Sequence, residues 1–238
     1  MAEKLWSKLE TTLIEKNKAF ISVTGGGGKT TFLVSFSSYL KKRGYSVLIT
    51  TSTKLASPYS FDYKTDRIFL SPSIMNYWPK KGESVFYGKF DDNLKKTVAP
   101  SSSLVSLLYD RYDVVIVEAD GSRRLPFKVH TKRDPVIWRD TTAIVAISGL
   151  WGYGERRCDV VFEDHSERVV DFDYINELVN SPEGMRKGMG ENTKNLLLFN
   201  GGDILERSVI EEIKRLFIPE NTSSFIVSLN EDMIYESI

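Results

Sequence analysis

The run Thr24-Gly25-Gly26-Gly27-Gly28-Lys29-Thr30-Thr31 gathers the residue types that bind a polyphosphate. Gly25, Gly26, Gly27 and Gly28 free the backbone for left-handed dihedrals, so successive N–H groups can converge on an anion with no Cβ in the way. Lys29 adds a point charge for the β- and γ-phosphates, and Thr30 a hydroxyl of the kind that ligates Mg²⁺. The strict phosphate-loop pattern, G-x-x-x-x-G-K-[ST], would put its first glycine at position 23, where this chain has Val23. The formal pattern fails by one residue. Four consecutive glycines are nevertheless costly in a mere turn, because each loses more backbone freedom than any other residue.

A loop of this kind that uses magnesium needs a carboxylate at a neighbouring strand tip, because Mg²⁺ is a hard, oxygen-seeking ion. Glu118 and Asp120 end the most apolar strand-like run of the chain, Asp113-Val-Val-Ile-Val-Glu118, and Gly121 follows. In extended backbone the two carboxylates share a face, since strand periodicity is two. Either can serve as metal ligand. Glu118 is slightly favoured, because it opens a Glu-x-x-Gly run comparable to the Asp-x-x-Gly of switch proteins. A hydroxyl cluster, Thr50-Thr51-Ser52-Thr53-Lys54, ends the second strand, where parallel α/β sheets bind ligands.

These residues need a βαβ frame. An apolar strand over residues 19–23 runs into the glycines. Helical periodicity then runs from Lys29 to about Arg43, and Gly44 stands where a left-handed C-terminal cap is expected. Residues 45–50 form the next strand. Upstream, Leu5, Trp6, Leu9, Leu13 and Ile14 recur at helical spacing within residues 3–17. Further elements follow: a serine-capped helix over 101–110, strands at 113–118, 142–148, 195–199 and 224–228, and helices at 171–180 and 204–217. Residues 52–100 and 149–170 read as irregular insertions, the first holding short strand-like pieces at 67–70 and 84–87 punctuated by prolines 58, 72, 79 and 100. Alternating strands and helices predict one α/β domain over 1–238, a mostly parallel, doubly wound sheet with helices on both faces.

Composition narrows the function classes. The 238 residues carry 32 basic and 32 acidic side chains, so no global field draws the chain to nucleic acid or an anionic membrane. A single cysteine excludes an internal disulfide and a cysteine-rich zinc site, and a reducing compartment suits it. The first ten residues alternate charge without an apolar core, unlike a secretory signal. No window reaches the roughly 18 uninterrupted apolar residues of a membrane span. The expected location is the cytoplasm.

With the glycine run and Glu118-Ala-Asp-Gly-Ser122 both in view, the chain resembles the YqeC family, accessory proteins of selenium-dependent molybdenum hydroxylases. Further segments carry the resemblance: Ile49-Thr-Thr-Ser-Thr-Lys54, Leu125-Pro-Phe-Lys128, Asp134-Pro-Val-Ile137 and Gly149-Leu-Trp-Gly-Tyr-Gly154. So do His165-Ser-Glu-Arg168, Ser181-Pro-Glu-Gly-Met-Arg-Lys-Gly188 and Leu196-Leu-Leu-Phe-Asn-Gly-Gly-Asp203. Each piece is weak alone, but the combination is specific. The residues themselves call for ATP or GTP with Mg²⁺; the resemblance implies a P-loop NTPase-like fold near the dethiobiotin synthetase and nickel-insertion GTPase branch, with a role in maturing a molybdenum enzyme. Its implied partner is a molybdenum hydroxylase or its cofactor. Two departures stand out. Where such proteins often carry Asn-Lys-x-Asp, this chain has Asn200-Gly-Gly-Asp203: the aspartate that could accept from guanine is kept and the lysine stem is lost. Ser166 follows His165 where the family would place arginine.

The resulting assignment gives Gly25, Gly26, Gly27, Gly28, Lys29, Thr30, Thr31, Asn200 and Asp203 to the nucleotide, and Thr30, Glu118 and Asp120 to the metal. Lys29, Glu118, Asp120 and Lys128 are the catalytic candidates. Lys128 is taken from the basic loop Arg123, Arg124, Lys128, His130, Lys132, Arg133, for the transition-state charge or an anionic second substrate. His165 reads as a surface histidine before it reads as an acid. Cys158 follows Arg156 and Arg157, which could favour a thiolate, but a lone cysteine with no resolving partner reads as incidental before it reads as reactive. Three functions compete: slow nucleotide hydrolysis or transfer during enzyme maturation, a nucleotide-gated binding module or chaperone with little turnover, and a small-molecule kinase or nucleotidyl transferase.

Overall fold

A computed structural model of the protein describes residues 4–238. Helix α1 (Leu5–Leu13) leads into strand β1 (Ala19–Gly25), helix α2 (Lys29–Lys42) and strand β2 (Val47–Thr51). The expected first helix over 3–17 is shorter, and residue 3 lies outside the described residues. Lys16 and Asn17 take positive φ in a tight turn that Glu15 and Lys18 close, so the chain reverses before β1. Gly44 follows α2 with φ of 93°, the left-handed cap expected there.

The stretch after β2 is more ordered than the sequence suggests. It holds β3 (Lys54–Ala56), β4 (Arg67–Phe69), β5 (Ser84–Tyr87), β6 (Lys89–Asp91) and β7 (Lys96–Val98). Strands β5 and β4 pair in parallel beyond β2 and extend the main sheet, while β3, β7 and β6 form a small antiparallel sheet. Helix α3 (Ser102–Tyr109) follows. Ser101 sits at its N-cap, but its hydroxyl pairs with Ser103 instead of capping an amide. Then come β8 (Val114–Glu118), β9 (Phe127–Lys128), β10 (Ala143–Gly149), the short α4 (Arg157–Val160) and β11 (Val161–Phe162). The chain closes with α5 (Phe172–Asn180), β12 (Lys194–Asn200), α6 (Arg207–Ile213), β13 (Thr222–Ser228) and β14 (Met233–Ser237). Helix α6 is shorter than the expected 204–217; at its end the Arg215 and Leu216 amides bond carbonyls three residues back instead of continuing the α-turn. The antiparallel β14 gave no periodic signal in the sequence.

Among the described residues nine strands form the central sheet, in the order β14-β13-β12-β10-β1-β8-β2-β5-β4. All pairings are parallel except β13 with β14. Helices cover both faces, because alternate residues of the buried strands must each find a cover. Ile21, Ile49, Ile116 and Val145 pack under Leu9 of α1 and Phe32, Phe36 and Leu40 of α2. Facing the other way, Phe20, Leu48, Val115 and Val117 meet Val105 and Leu108 of α3. Leu197, Phe199 and Ile226 meet α5 and α6 on that same side.

The order of strands fixes where a ligand can sit. From β1 the chain passes to β2 and out to the edge strand β4, fills the gap with β5, returns with β8 between β1 and β2, and then starts the opposite half with β10. The reversal lies between β1 and β10, and α/β sheets bind ligands in the crevice at the carboxyl ends there. The glycine run occupies that position.

Ile116, fully buried at the centre of β8, tests this core. Ile116→Ala should lower stability by about 2–5 kcal/mol, read as a drop in the urea midpoint at constant slope. A variant with the wild-type midpoint would contradict the packing.

Candidate functional site

Lys29 is the first residue of α2, and its side chain turns back beneath the loop instead of out to solvent; the residue is 5% exposed. Its ammonium donates to the Gly25 carbonyl and, at 3.2 Å, to Ser122 Oγ, and lies 3.0 Å from Asp120 Oδ1. A charge taken out of water needs such partners, since leaving it unpaired costs several kcal/mol. Asp120, wholly buried, also accepts from the Gly25 amide at 2.8 Å, and His130 Nε2 lies 2.8 Å from the same oxygen. Burial alone would raise the Asp120 pKa, but the Lys29 ammonium and the His130 hydrogen bond prevail and pull it down to about 2. Asp120 is therefore the fixed anion of the site.

Glu118 behaves in the opposite way. Its carboxylate accepts from Thr30 Oγ1 at 3.2 Å. Burial pushes its pKa up to about 7 despite nearby Lys29, and the Asp120 charge adds to the rise. A buried carboxylate short of positive charge, beside a threonine hydroxyl at a helix start, is a donor pair that fits a hard divalent cation. Among the described residues no three His, Cys, Asp or Glu side chains converge on a metal position. A magnesium ion here would depend on Thr30, Glu118 and the oxygens of its ligand.

The glycines do a different job from the one their freedom suggests. The amides of Gly26 and Gly27 donate to the carbonyls of Ile147 (2.8 Å) and Leu125 (3.1 Å), so with Gly25 three of the run's donors already serve the protein. Side chains are excluded by neighbours. A Cβ at Gly25 would lie 2.2 Å from the Ile147 oxygen, at Gly26 2.6 Å from the Leu125 and Pro126 oxygens, and at Gly27 2.2 Å from the Gly149 nitrogen. The loop is thus clamped between β10 and the 121–126 segment. What stays open is the start of α2: no side chain caps it, and the first amides of a helix have no partner within it. With the helix dipole, that end favours an anion. Thr31 is half-buried within this first turn.

The remaining candidates separate. Asn200, at the end of β12, donates to the Gly27 carbonyl at 3.0 Å and accepts from the Leu229 amide at 3.0 Å, tying the loop to the second half of the sheet. Asp203 stands exposed on the turn that follows. Lys128 is buried, paired with Asp134, bonded to the Gly121 carbonyl and set 4.8 Å above the Phe162 ring. The structure therefore turns it inward, toward the base of its own loop. Thr51 donates to the Glu118 carbonyl and Ser52 to that of Val136, whereas the buried Thr24, Thr50 and Thr53 hydroxyls lack partners. Thr53 lines a cleft of about 490 Å³ together with Lys54, Val98, Ala99, Gly121 and Asp134.

His130, which the sequence offered only as one member of the basic loop, is drawn into the site. Both its ring nitrogens face acceptors, Asp120 and, at 2.9 Å, the Gly184 carbonyl. His165 is exposed. Cys158 does not gain a thiolate from its arginines: partial burial, then the Asp159 and Glu167 charges, raise its pKa, and Arg156 is engaged by those same two acids. The environment disfavours a thiolate.

A model of the YqeC protein family matches residues 21–164, more than half of the chain, including the glycine run, Glu118, Asp120, Lys128 and His130. The chain belongs to the YqeC family. It is 30% identical over 139 residues to the uncharacterized protein YqeC of Escherichia coli (strain K12), across 57% of this chain and 53% of that protein. The match thus spans about half the length of that relative. No solved structure matches the chain. Asn200 and Asp203 fall beyond the segment that the YqeC family model covers.

Two outcomes follow from the carboxylates. Asp120→Ala would leave Lys29 buried without its counter-ion and should cost about 3–5 kcal/mol. Lys29→Met/Asp120→Ala should recover part of that loss in urea unfolding, and a double variant no better than the single would contradict the pairing. Because the folded-state pKa of Glu118 lies above its ordinary 4.5, its protonated form adds stability that is complete below pH 4.5 and lost as pH rises to about 7. In metal-free protein Glu118→Gln should flatten that slope, ending on the order of 3 kcal/mol more stable than wild type above neutrality. Parallel stability–pH curves for the two proteins would refute it.

Proposed function

We propose that this YqeC protein binds a nucleoside polyphosphate, ATP or GTP, with Mg²⁺ at the start of α2, in the manner of P-loop NTPases. One observation carries the reading: a buried lysine ammonium stands beside an uncapped helix start, with a threonine hydroxyl and a buried, charge-poor carboxylate alongside. Phosphate oxygens would take the free amides of the first turn of α2, and Lys29 would exchange its bond to Gly25 for one to the ligand. Asp120 and His130 would hold the Lys29 end of the site in place while this happens. Thr30 and Glu118 would hold the metal, which when bound supplies neutralisation of the phosphate charge. Catalysis in such a site is electrostatic and positional. Asn200 keeps the loop in register, and Asp203 offers a carboxylate to the base. Lys128 reaches a phosphate only on leaving Asp134, so its role in this reading is to brace the 121–134 segment.

The family resemblance extends the proposal to the maturation of a selenium-dependent molybdenum hydroxylase, with that enzyme or its cofactor as partner. No helix among the described residues is long and apolar enough to cross a membrane, and a consumer of ATP or GTP with Mg²⁺ is assigned to the cytoplasm. A second reading, a nucleotide-gated binding module, draws on the satisfied state of the loop. With the Gly25, Gly26 and Gly27 amides already bonded and Lys29 already neutralised, a ligand that instead claimed these donors would rearrange Asp120 and Ser122, and with them the segment they begin.

Calorimetric titration with Mg²⁺ and ATP or GTP should show binding that Lys29→Ala weakens by roughly 10–150-fold, the loss of a charge-assisted contact of about 1.5–3 kcal/mol. Equal affinity in the variant would refute the site. Turnover measured with and without candidate acceptors then distinguishes hydrolysis, transfer and gating.

A further inference from the structure

We propose that the exposed indole of Trp151 is the stacking platform for the purine ring of the bound nucleotide, with Ile204 flanking the same floor. This assignment rests on the nucleotide reading above and adds the half of the ligand that the loop does not touch. Direction comes from the sheet. Glu118 and Thr30 set the metal, and so the terminal phosphates, on the β8 side of β1. The nucleoside must then lie over β10 and β12, the side to which Asn200 ties Gly27.

Trp151 stands there. It lies in the short 3₁₀ turn Leu150–Gly152 that follows β10, and it is 43% exposed. Its ring is pressed against glycine backbone from two strand ends. A Cβ at Gly149 would come within 2.5 Å of the ring, and one at Gly201 within 3.4 Å. Gly149 in turn abuts Gly27, so the indole is one residue's thickness from the phosphate loop. Among the described residues no other aromatic ring or cation stacks on Trp151. Ile204, 62% exposed, reaches to 3.7 Å from the same Gly201 position. Gly201 has φ of 106°, a conformation that side-chain-bearing residues rarely adopt, and it keeps the floor between the two apolar groups bare. A large aromatic and an aliphatic side chain left in solvent around a bare glycine, beside an anion site, suit a flat heterocycle. Exposed Asp203, next along the turn, can accept a base N–H. The lysine stem missing at position 201 is replaced in this arrangement by a ring from another strand end.

The test compares ATP and GTP, each with Mg²⁺, with inorganic tripolyphosphate, which has phosphates but no base. Calorimetry on wild type, Trp151→Ala, Trp151→Phe and Lys29→Ala reads both. Base–aromatic stacking is worth about 1–3 kcal/mol, so Trp151→Ala should bind nucleotide about 5–150-fold more weakly. Its tripolyphosphate affinity should be unchanged, and Trp151→Phe should recover most of the loss. Lys29→Ala should weaken both ligands. Wild-type nucleotide affinity in Trp151→Ala overturns the stacking role while Lys29→Ala still reports on the phosphate site. Equal loss of nucleotide and tripolyphosphate in Trp151→Ala also overturns it, as general damage to the loop. If wild type binds neither ligand, the nucleotide reading falls and this assignment with it. Fluorescence supplies a check that needs no truncation. Nucleotide, but not tripolyphosphate, should quench an emission component present in wild type and absent from Trp151→Phe; identical quenching in both proteins overturns the assignment.

Discussion

The ion pair between Lys29 and Asp120 is the constraint from which the rest of the site follows. An ammonium group so deeply buried is tolerable only with a carboxylate in contact, and the carboxylate must itself be held. Asp120 is held by the Gly25 amide on one side and His130 on the other. The pair thereby joins the end of β1, the start of α2, the tip of β8 and the segment that leaves it. These elements could not shift relative to one another without exposing a charge to a low-dielectric interior.

Two carboxylates, separated by one residue, acquire opposite characters from this arrangement. Asp120 faces the cations and is held well below the usual carboxylate range, whereas Glu118, buried with a threonine hydroxyl bonded to its carboxylate, is pushed to about 7. Chemistry that needs an anchored anion and a carboxylate waiting for a cation finds both within three positions of one strand end. The same economy governs the glycines. Their amides and their missing side chains let β10 and the Leu125–Pro126 carbonyls close over the loop, and the open donors are passed on to the helix that begins at Lys29.

Much of the frame was legible because local rules act on it directly. The apolar run of β8 could only be a strand buried on both faces, Gly44 could only end a helix, and strand–glycines–helix–strand is a βαβ unit wherever it occurs. Within the 52–100 stretch the strand-like pieces at 67–70 and 84–87 were legible and are β4 and β5, but no local pattern told that the free edge of β2 recruits them into the main sheet, or that β3, β6 and β7 pair with one another. Strand β14 is likewise made by pairing with β13 and not by its own pattern. The helix over 204–217 was overextended because periodicity does not register the glycine turn before it or the i→i+3 bonds that close its end.

The sequence by itself determined which groups meet at one sheet edge: a lysine and threonine after glycines, and acids at the tip of an apolar strand. Such adjacency is set by chain connectivity and by periods of 2 and 3.6, which need no partner to be read. Only the tertiary structure decided what each group does there. It chose Asp120 as the lysine's counter-ion and left Glu118 for Thr30. It buried Lys128 against Asp134, drew in His130, and set Trp151 beside Gly201. Those outcomes depend on contacts between residues as much as 95 positions apart, such as Gly25 with Asp120. They depend too on how completely water is excluded, and neither property is encoded in any local spacing.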